Sequence, residues 1–107
     1  MATQEWRWYG FIQAHVQQVP DVAGVYMLAE PPGDRPTVFY VGRSGALRSR
    51  LMQHLNERDN TCIRGHIRTG RKLFCYRVVR GDEAARRTAE EELRAQYSPE
   101  CNIDRAG

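Results

Sequence analysis

Apolar residues fall along this chain in two rhythms. From Ala23 to Ala29, and again from Thr37 to Val41, they are dense and β-prone, as in buried strands. Glu30-Pro31-Pro32-Gly33-Asp34-Arg35-Pro36 between them is a turn segment, so the two runs predict a hairpin with a long loop. Leu47, Leu51 and Leu55 then recur at helical spacing and predict a helix from about Ala46 to Glu57. Lys72-Leu73-Phe74-Cys75-Tyr76-Arg77-Val78-Val79 reads as a third strand. Asp82 is positioned to cap a helix from Glu83 to about Tyr97, with Ala85, Ala89 and Leu93 on its apolar side and Ser98-Pro99 stopping it. Residues 60–69 are ambiguous, a broken short helix closed by Gly70. At the start, residues 4–18 read as a short helix capped by Thr3 and ended by Val19-Pro20, with Gly10 speaking against it. Its aromatic cluster, Trp6, Trp8, Tyr9 and Phe11, is better suited to covering an end of the core or a dimer contact than to stacking on unpaired bases.

The order β-β-α-β-α behind a leading helix implies an α/β domain of the α+β type, a small three-stranded antiparallel sheet flanked by helices. A chain of 107 residues has room for one core, so residues 1–107 are expected to form a single domain, with 1–18 as a helical extension and 19–102 as the core. No apolar run approaches the ~20 residues of a membrane span, and the N-terminus lacks the pattern of a signal peptide. The expected location is the cytoplasm, with no membrane partner. Cys62, His66 and Cys75 offer three zinc ligands without an evident fourth. The three cysteines read instead as unpaired thiols, and no disulfide is expected.

Charge changes the picture more than composition does. The net +3 hides a block at residues 43–80, where ten Lys and Arg face only Glu57 and Asp59, while 1–42 and 81–107 are net acidic. Such a block suits a polyanion, because each neutralised phosphate releases condensed counterions.

The candidate chemistry lies within this block and on both sides of it. Gly24-Val25-Tyr26 and Tyr40-Val41-Gly42 each set a tyrosine near a glycine in a strand; Arg50 and His54 follow one turn apart along the edge of the leucine stripe; Glu90 and Asn102 come later. A phenol can relay or orient a proton, a glycine admits a close substrate, and a guanidinium or imidazole can bind phosphate. On the helical wheel Glu90 and Glu92 both flank the apolar side, and the wheel does not choose between them.

The series GVY…YVG…R…E…N resembles the GIY-YIG nuclease family, and is particularly similar to the N-terminal nuclease module of the bacterial excision-repair incision enzyme. The likeness runs from about Val19 to Asn102 and includes a closing E-x-x-L…Y-x-P-x-x-N pattern at Glu90–Asn102. It implies a metal-dependent DNA endonuclease in which Tyr26 or Tyr40 deprotonates or orients water, Arg50 stabilises the phosphate, His54 supports proton relay or phosphate binding, and Glu90 holds Mg²⁺ or Mn²⁺. Gly42, Arg43 and Ser44 are implied to meet substrate, and Asn102 to serve as a structural or substrate-binding residue. Arg43 stands where some relatives carry lysine, and Arg94 where they are often apolar. His66 reads as an ordinary histidine rather than part of the site. The competing reading is a non-catalytic nucleic-acid-binding or repair-accessory module on the same scaffold. Specificity would come from the chain's own loops, a homodimer or a partner protein.

Overall fold

The computed structural model describes residues 6–102. Eight elements follow in order: β1 (Tyr9–Gly10), α1 (Gln13–Val16), β2 (Gly24–Glu30), β3 (Thr37–Ser44), α2 (Leu47–Leu55), α3 (Thr61–Arg68), β4 (Leu73–Val78) and α4 (Glu83–Tyr97). The strands form an antiparallel sheet in the order β1-β4-β2-β3, which makes β2 central and β3 an outer strand.

Side chains alternate across β2 and so feed two separate cores. Tyr26 and Leu28 join Phe39, Leu47, Leu51, Ile63 and Phe74 on the face covered by α2 and α3. Val25, Met27 and Ala29 join Val38, Val41, Cys75 and Leu93 on the face covered by α4. Both faces of β2 are therefore apolar, which is why its sequence shows a run and not an alternation.

The two long helices begin differently. Asp82 caps α4 as expected, its carboxylate accepting from the Ala85 N–H at 3.1 Å. For α2 the cap comes from outside the helix: Asp21 accepts from the Ser49 N–H (2.9 Å) and the Ser49 hydroxyl (2.8 Å), and Val22 O accepts from Leu47 N–H (2.9 Å). The ambiguous stretch at 60–69 is an intact helix with Asn60 as its cap, and Gly70 follows at φ +129°, a conformation that glycine adopts readily.

The N-terminal expectation needs correcting. In place of a helix over 4–18, Tyr9–Gly10 pairs with Phe74 and Leu73 of β4, adding a fourth strand, and helix is confined to Gln13–Val16. Residues 4 and 5 and the proposed cap Thr3 lie outside the described residues. Trp6 and Trp8 pack on the α4 side while Tyr9 and Phe11 pack on the opposite side. That two-residue alternation is a strand rhythm, and it overrides the helical reading.

Beyond α4 the chain turns through Ser98 (φ 47°) and runs back along the open edge of β3. Cys101 N–H donates to Phe39 O (2.8 Å), and the Asn102 side chain bonds both main-chain groups of Val41: Oδ1 accepts from its N–H and Nδ2 donates to its C=O, each at 2.7 Å. Arg94, unusual in its position, donates to Asn102 O at 3.0 Å and fastens the turn. One asparagine thus stands in for a missing neighbour strand. Asn102→Ala is expected to destabilise the fold by about 1–3 kcal/mol, because it strips partners from two part-buried backbone groups; a shift in the denaturant midpoint at unchanged m-value checks this.

Candidate active site

The candidate residues fall into two groups, one on each side of β3. The first is built on β2, β3 and α2. Tyr26 lies opposite Gly42 in the strand register, and Leu28 opposite Tyr40, so both phenols stand on the α2 face. A register shift follows between Leu28 and Ala29, which is why the sequence could not settle their common face. A side chain at position 42 would place its Cβ 2.3 Å from the Tyr26 ring. Gly42 is therefore the gap into which Tyr26 folds, and Gly24 is similarly needed against Arg77 O at 2.2 Å and Leu47 at 2.7 Å.

Tyr26 is wholly buried, Tyr40 half-buried. Their rings lie 6.1 Å apart, and that of His54 is 5.5 Å from Tyr26 and 5.2 Å from Tyr40. His54 is only 1% exposed, so its hydrogen bonds define its state. Nδ1 lies 2.6 Å from Glu57 Oε1 and Nε2 lies 2.7 Å from the Tyr26 hydroxyl. A carboxylate only accepts, so Nδ1 carries the proton, Nε2 is the acceptor and the Tyr26 hydroxyl donates to it. Glu57 also accepts from the N–H groups of Asp59 (3.1 Å) and Asn60 (2.9 Å). The result is a continuous chain from Tyr26 through His54 to Glu57.

The environment sharpens these roles. Burial, seconded by the neighbouring Tyr40, pushes the Tyr26 phenol well above its ordinary pKa, although Arg50 pulls the other way. Burial also holds His54 below the ordinary imidazole value; Glu57 opposes this and the positive charge of Arg50 adds to it. Burial works to raise the Glu57 carboxyl, but the Asn60 N–H and His54 outweigh it and keep Glu57 below the usual carboxylate range. His54 is thus a neutral base beside an ionised carboxylate. Arg50 lies near both phenols at the exposed rim, and its guanidinium donates to Gln53 Oε1 at 2.8 Å. A cleft of about 440 Å³ lined by Arg50, Gln53, Asn56, Glu57, Arg58 and Asp59 opens beside this cluster.

The second group lies toward α4. Arg43 pairs in register with Val25, whose side chain belongs to the α4 core, and from there reaches two acids of α4. Its Nε donates to Glu83 Oε2 at 2.9 Å and its Nη1 to Glu90 Oε1. Glu90 is 8% exposed, whereas Glu91 and Glu92 face solvent, so packing makes the choice that the helical wheel could not. The Ser44 hydroxyl is occupied in the turn into α2, accepting from Ala46 N–H (2.9 Å) and bonding Ala46 O (3.1 Å). The Asn102 amide is committed to Val41 through both its oxygen and its nitrogen.

Glu57 was missed in sequence, where it counted only as an acid in a basic block. Its one sequence signal is its position three residues after His54, just past the end of α2.

A sheet with this strand order, carrying a tyrosine on each of two adjacent strands, an arginine and histidine on the next helix and a buried glutamate on the last, has the fold of GIY-YIG nuclease domains. It is shared with the GIY-YIG N-terminal endonuclease domain of UvrC from Thermotoga maritima. In the form bound to its catalytic divalent cation, magnesium, that domain is 24% identical, with 85% of this chain and 94% of that one covered at a TM-score of 0.67. A tyrosine-to-phenylalanine mutant of the same domain, also holding its catalytic divalent cation, matches at 24% identity over 86% and 94% of the two chains, TM-score 0.67. An asparagine-to-alanine mutant matches at 22% identity over the same shares, TM-score 0.61. The chain belongs to the family described as a domain of unknown function, DUF7508, which matches residues 1–99. No curated protein matches it.

Proposed function

We propose that this chain is a divalent-metal-dependent endonuclease that hydrolyses phosphodiester bonds in DNA. The observation that carries the reading is the hydrogen-bonded chain Tyr26–His54–Glu57 ending beside Tyr40 and Arg50. It removes the chief objection to a tyrosine base, namely that a phenol near pKa 10 holds its proton too tightly. In this site the phenols pass a proton on and do not keep it. Tyr40, the half-buried phenol, meets the attacking water; as Tyr40 takes up the water's proton it passes its own to the Tyr26 oxygen, and Tyr26 delivers its own to His54 Nε2, so that both phenols end neutral and His54 carries the proton. Glu57 then stabilises the imidazolium through Nδ1–H, as the carboxylate does in other base–carboxylate pairs. Arg50 offers positive charge to the phosphate as its negative charge grows.

Glu90 fits a hard divalent cation. One of its oxygens is held by Arg43, Oε2 makes no hydrogen bond among the described residues, and Mg²⁺ commonly uses one or two carboxylates with water and phosphate oxygens completing its shell. Mg²⁺ or Mn²⁺ bound there would supply charge to the phosphate and its leaving oxygen. Arg43 sits beside it, positioned to neutralise a phosphate that displaces it from Glu90. The likeness to UvrC domains holding a catalytic divalent cation supports this role. The exposed Arg50, Arg58, Arg64 and Arg68 on and after α2 give the nucleic acid a basic path to the cluster. One observation favours the non-catalytic alternative: Arg43 already neutralises the charge of Glu90 through one of the two oxygens a metal would use.

A panel of labelled single-stranded, duplex and flap DNA with Mg²⁺ or Mn²⁺ tests the proposal; salt-sensitive binding with no cleavage of any substrate would support the accessory module. The reaction also has a defined pH signature. His54 must be neutral to accept a proton, and its pKa lies below 6.5, so the rate is expected to hold above that value and fall as pH drops through the lowered pKa. Stability follows the same direction, since a depressed histidine pKa contributes above the unfolded value and is lost on acidification. Glu57 raises the His54 pKa, so Glu57→Gln should move the acid limb to lower pH while reducing the plateau rate.

A further inference from the structure

The far end of the α2 face carries a second cluster, and we propose that it is a zinc site in exchange with a disulfide. Cys62 on α3 and Cys101 after α4 are joined by a disulfide with Cα atoms 5.3 Å apart, correcting the expectation of three unpaired thiols. No local pattern signals this pairing, because the 39-residue separation closes only when the C-terminal segment folds back over α3 and β3. The zinc set Cys62, His66, Cys75 is also corrected. Cys75 is buried in the opposite core, where burial pushes its thiol pKa up, and Cys101 takes its place. The ligand atoms of Cys62, His66 and Cys101 all lie within 4.8 Å of one another.

What singles out this cluster is the way His66 is held. It follows Cys62 by one helical turn, and its ring stacks on Phe39 with centroids 4.0 Å apart and planes 5° from parallel. Nδ1 bonds Glu30 Oε2, and Lys72 neutralises the same carboxylate through Oε1 at 2.8 Å. A carboxylate at Nδ1 fixes the proton there and turns the Nε2 lone pair outward, as in the carboxylate–histidine pairs behind bound zinc. Nε2 faces Glu100 Oε1 at 3.4 Å. A proton or a metal ion between these two electron-pair donors joins them, and the two sulfurs within 4.8 Å of the imidazole nitrogen make the metal the better-fitted occupant once they are reduced. Two thiolates, an imidazole and a carboxylate are a four-coordinate set for Zn²⁺, and too soft for Mg²⁺. A cleft of about 430 Å³ bordered by Cys62, His66 and Glu100 gives the ion a way in.

The exchange balances. A dithiol reductant passes two electrons and two protons to the disulfide, becoming a disulfide itself and leaving two thiols. Zn²⁺ displaces both protons as it binds the thiolates. Either linkage holds the Cys101-Asn102 segment against β3, so the edge clamp at Val41 persists in oxidising and reducing conditions alike.

The test is a Zn²⁺ titration, against a competing chromogenic chelator, of the chain reduced with a dithiol and desalted without oxygen, alongside the oxidised chain. One equivalent is expected for the reduced chain and none for the oxidised one. Co²⁺ in place of Zn²⁺ should give thiolate-to-metal charge-transfer absorption. Cys101→Ser and His66→Ala should lose binding, Cys75→Ala should keep it, and Glu30→Gln should weaken it about 10–100-fold. Equal binding by the reduced and oxidised wild-type chain, or no binding by the reduced chain, would overturn the proposal without relying on any variant.

Discussion

Glu90→Ala is expected to abolish divalent-dependent cleavage, a loss of about 10³-fold or more, with DNA binding largely retained. The reason is where Glu90 sits. It is the buried acid of the three consecutive glutamates, and its neighbours on α4 point into solvent. Its removal should be tolerated structurally, because Arg43 keeps its bond to Glu83 at 2.9 Å and is not left as an uncompensated charge. Glu90→Gln separates charge from shape: it can still meet Arg43 but cannot neutralise a cation, so it should be as inactive as the alanine. Measuring kcat and DNA Kd separately checks this, and a glutamine variant with near wild-type turnover would show that Glu90 is only a packing partner for Arg43.

Tyr26→Phe should lower the rate by about 10²–10⁴, the range for losing a positioned proton-transfer group. The substitution deletes one oxygen and leaves the ring in the space above Gly42. It also leaves His54 Nε2 buried without its donor, which should cost about 1–3 kcal/mol of stability. These effects are separable. The stability loss appears in denaturant unfolding, whereas the catalytic loss comes with a changed pH profile, since His54 is disconnected from the water and its acid limb should vanish. A Tyr26→Phe enzyme that is slow yet keeps the wild-type acid limb would mean that the proton leaves by another route.

Much of this architecture is legible in the sequence, for identifiable reasons. Asp82, the leucine spacing of α2 and the apolar run of β2 are local signals, and each became the element it predicts. The N-terminal aromatics failed because their alternation acquires meaning only against β4, 65 residues away in the Tyr9–Phe74 pair. Burial of His54 follows from its place on the helical wheel, but its pairing with Glu57 depends on how the chain leaves α2. The choice of Glu90 over Glu92 came from family resemblance; packing adds that Glu90 is the buried one of the two. The Cys62–Cys101 link and the Asn102 clamp were beyond reach, since both depend on the return of the chain after Ser98. No described helix is long and apolar enough to cross a membrane.

The most direct measurement is nicking of supercoiled plasmid with Mg²⁺ by the wild-type chain, Glu90→Ala and Tyr26→Phe, with DNA binding followed in the same buffer. The account predicts metal-dependent nicking by the wild type alone and similar binding by all three. Equal binding with no nicking by the wild type, or nicking that survives in Glu90→Ala, would contradict it.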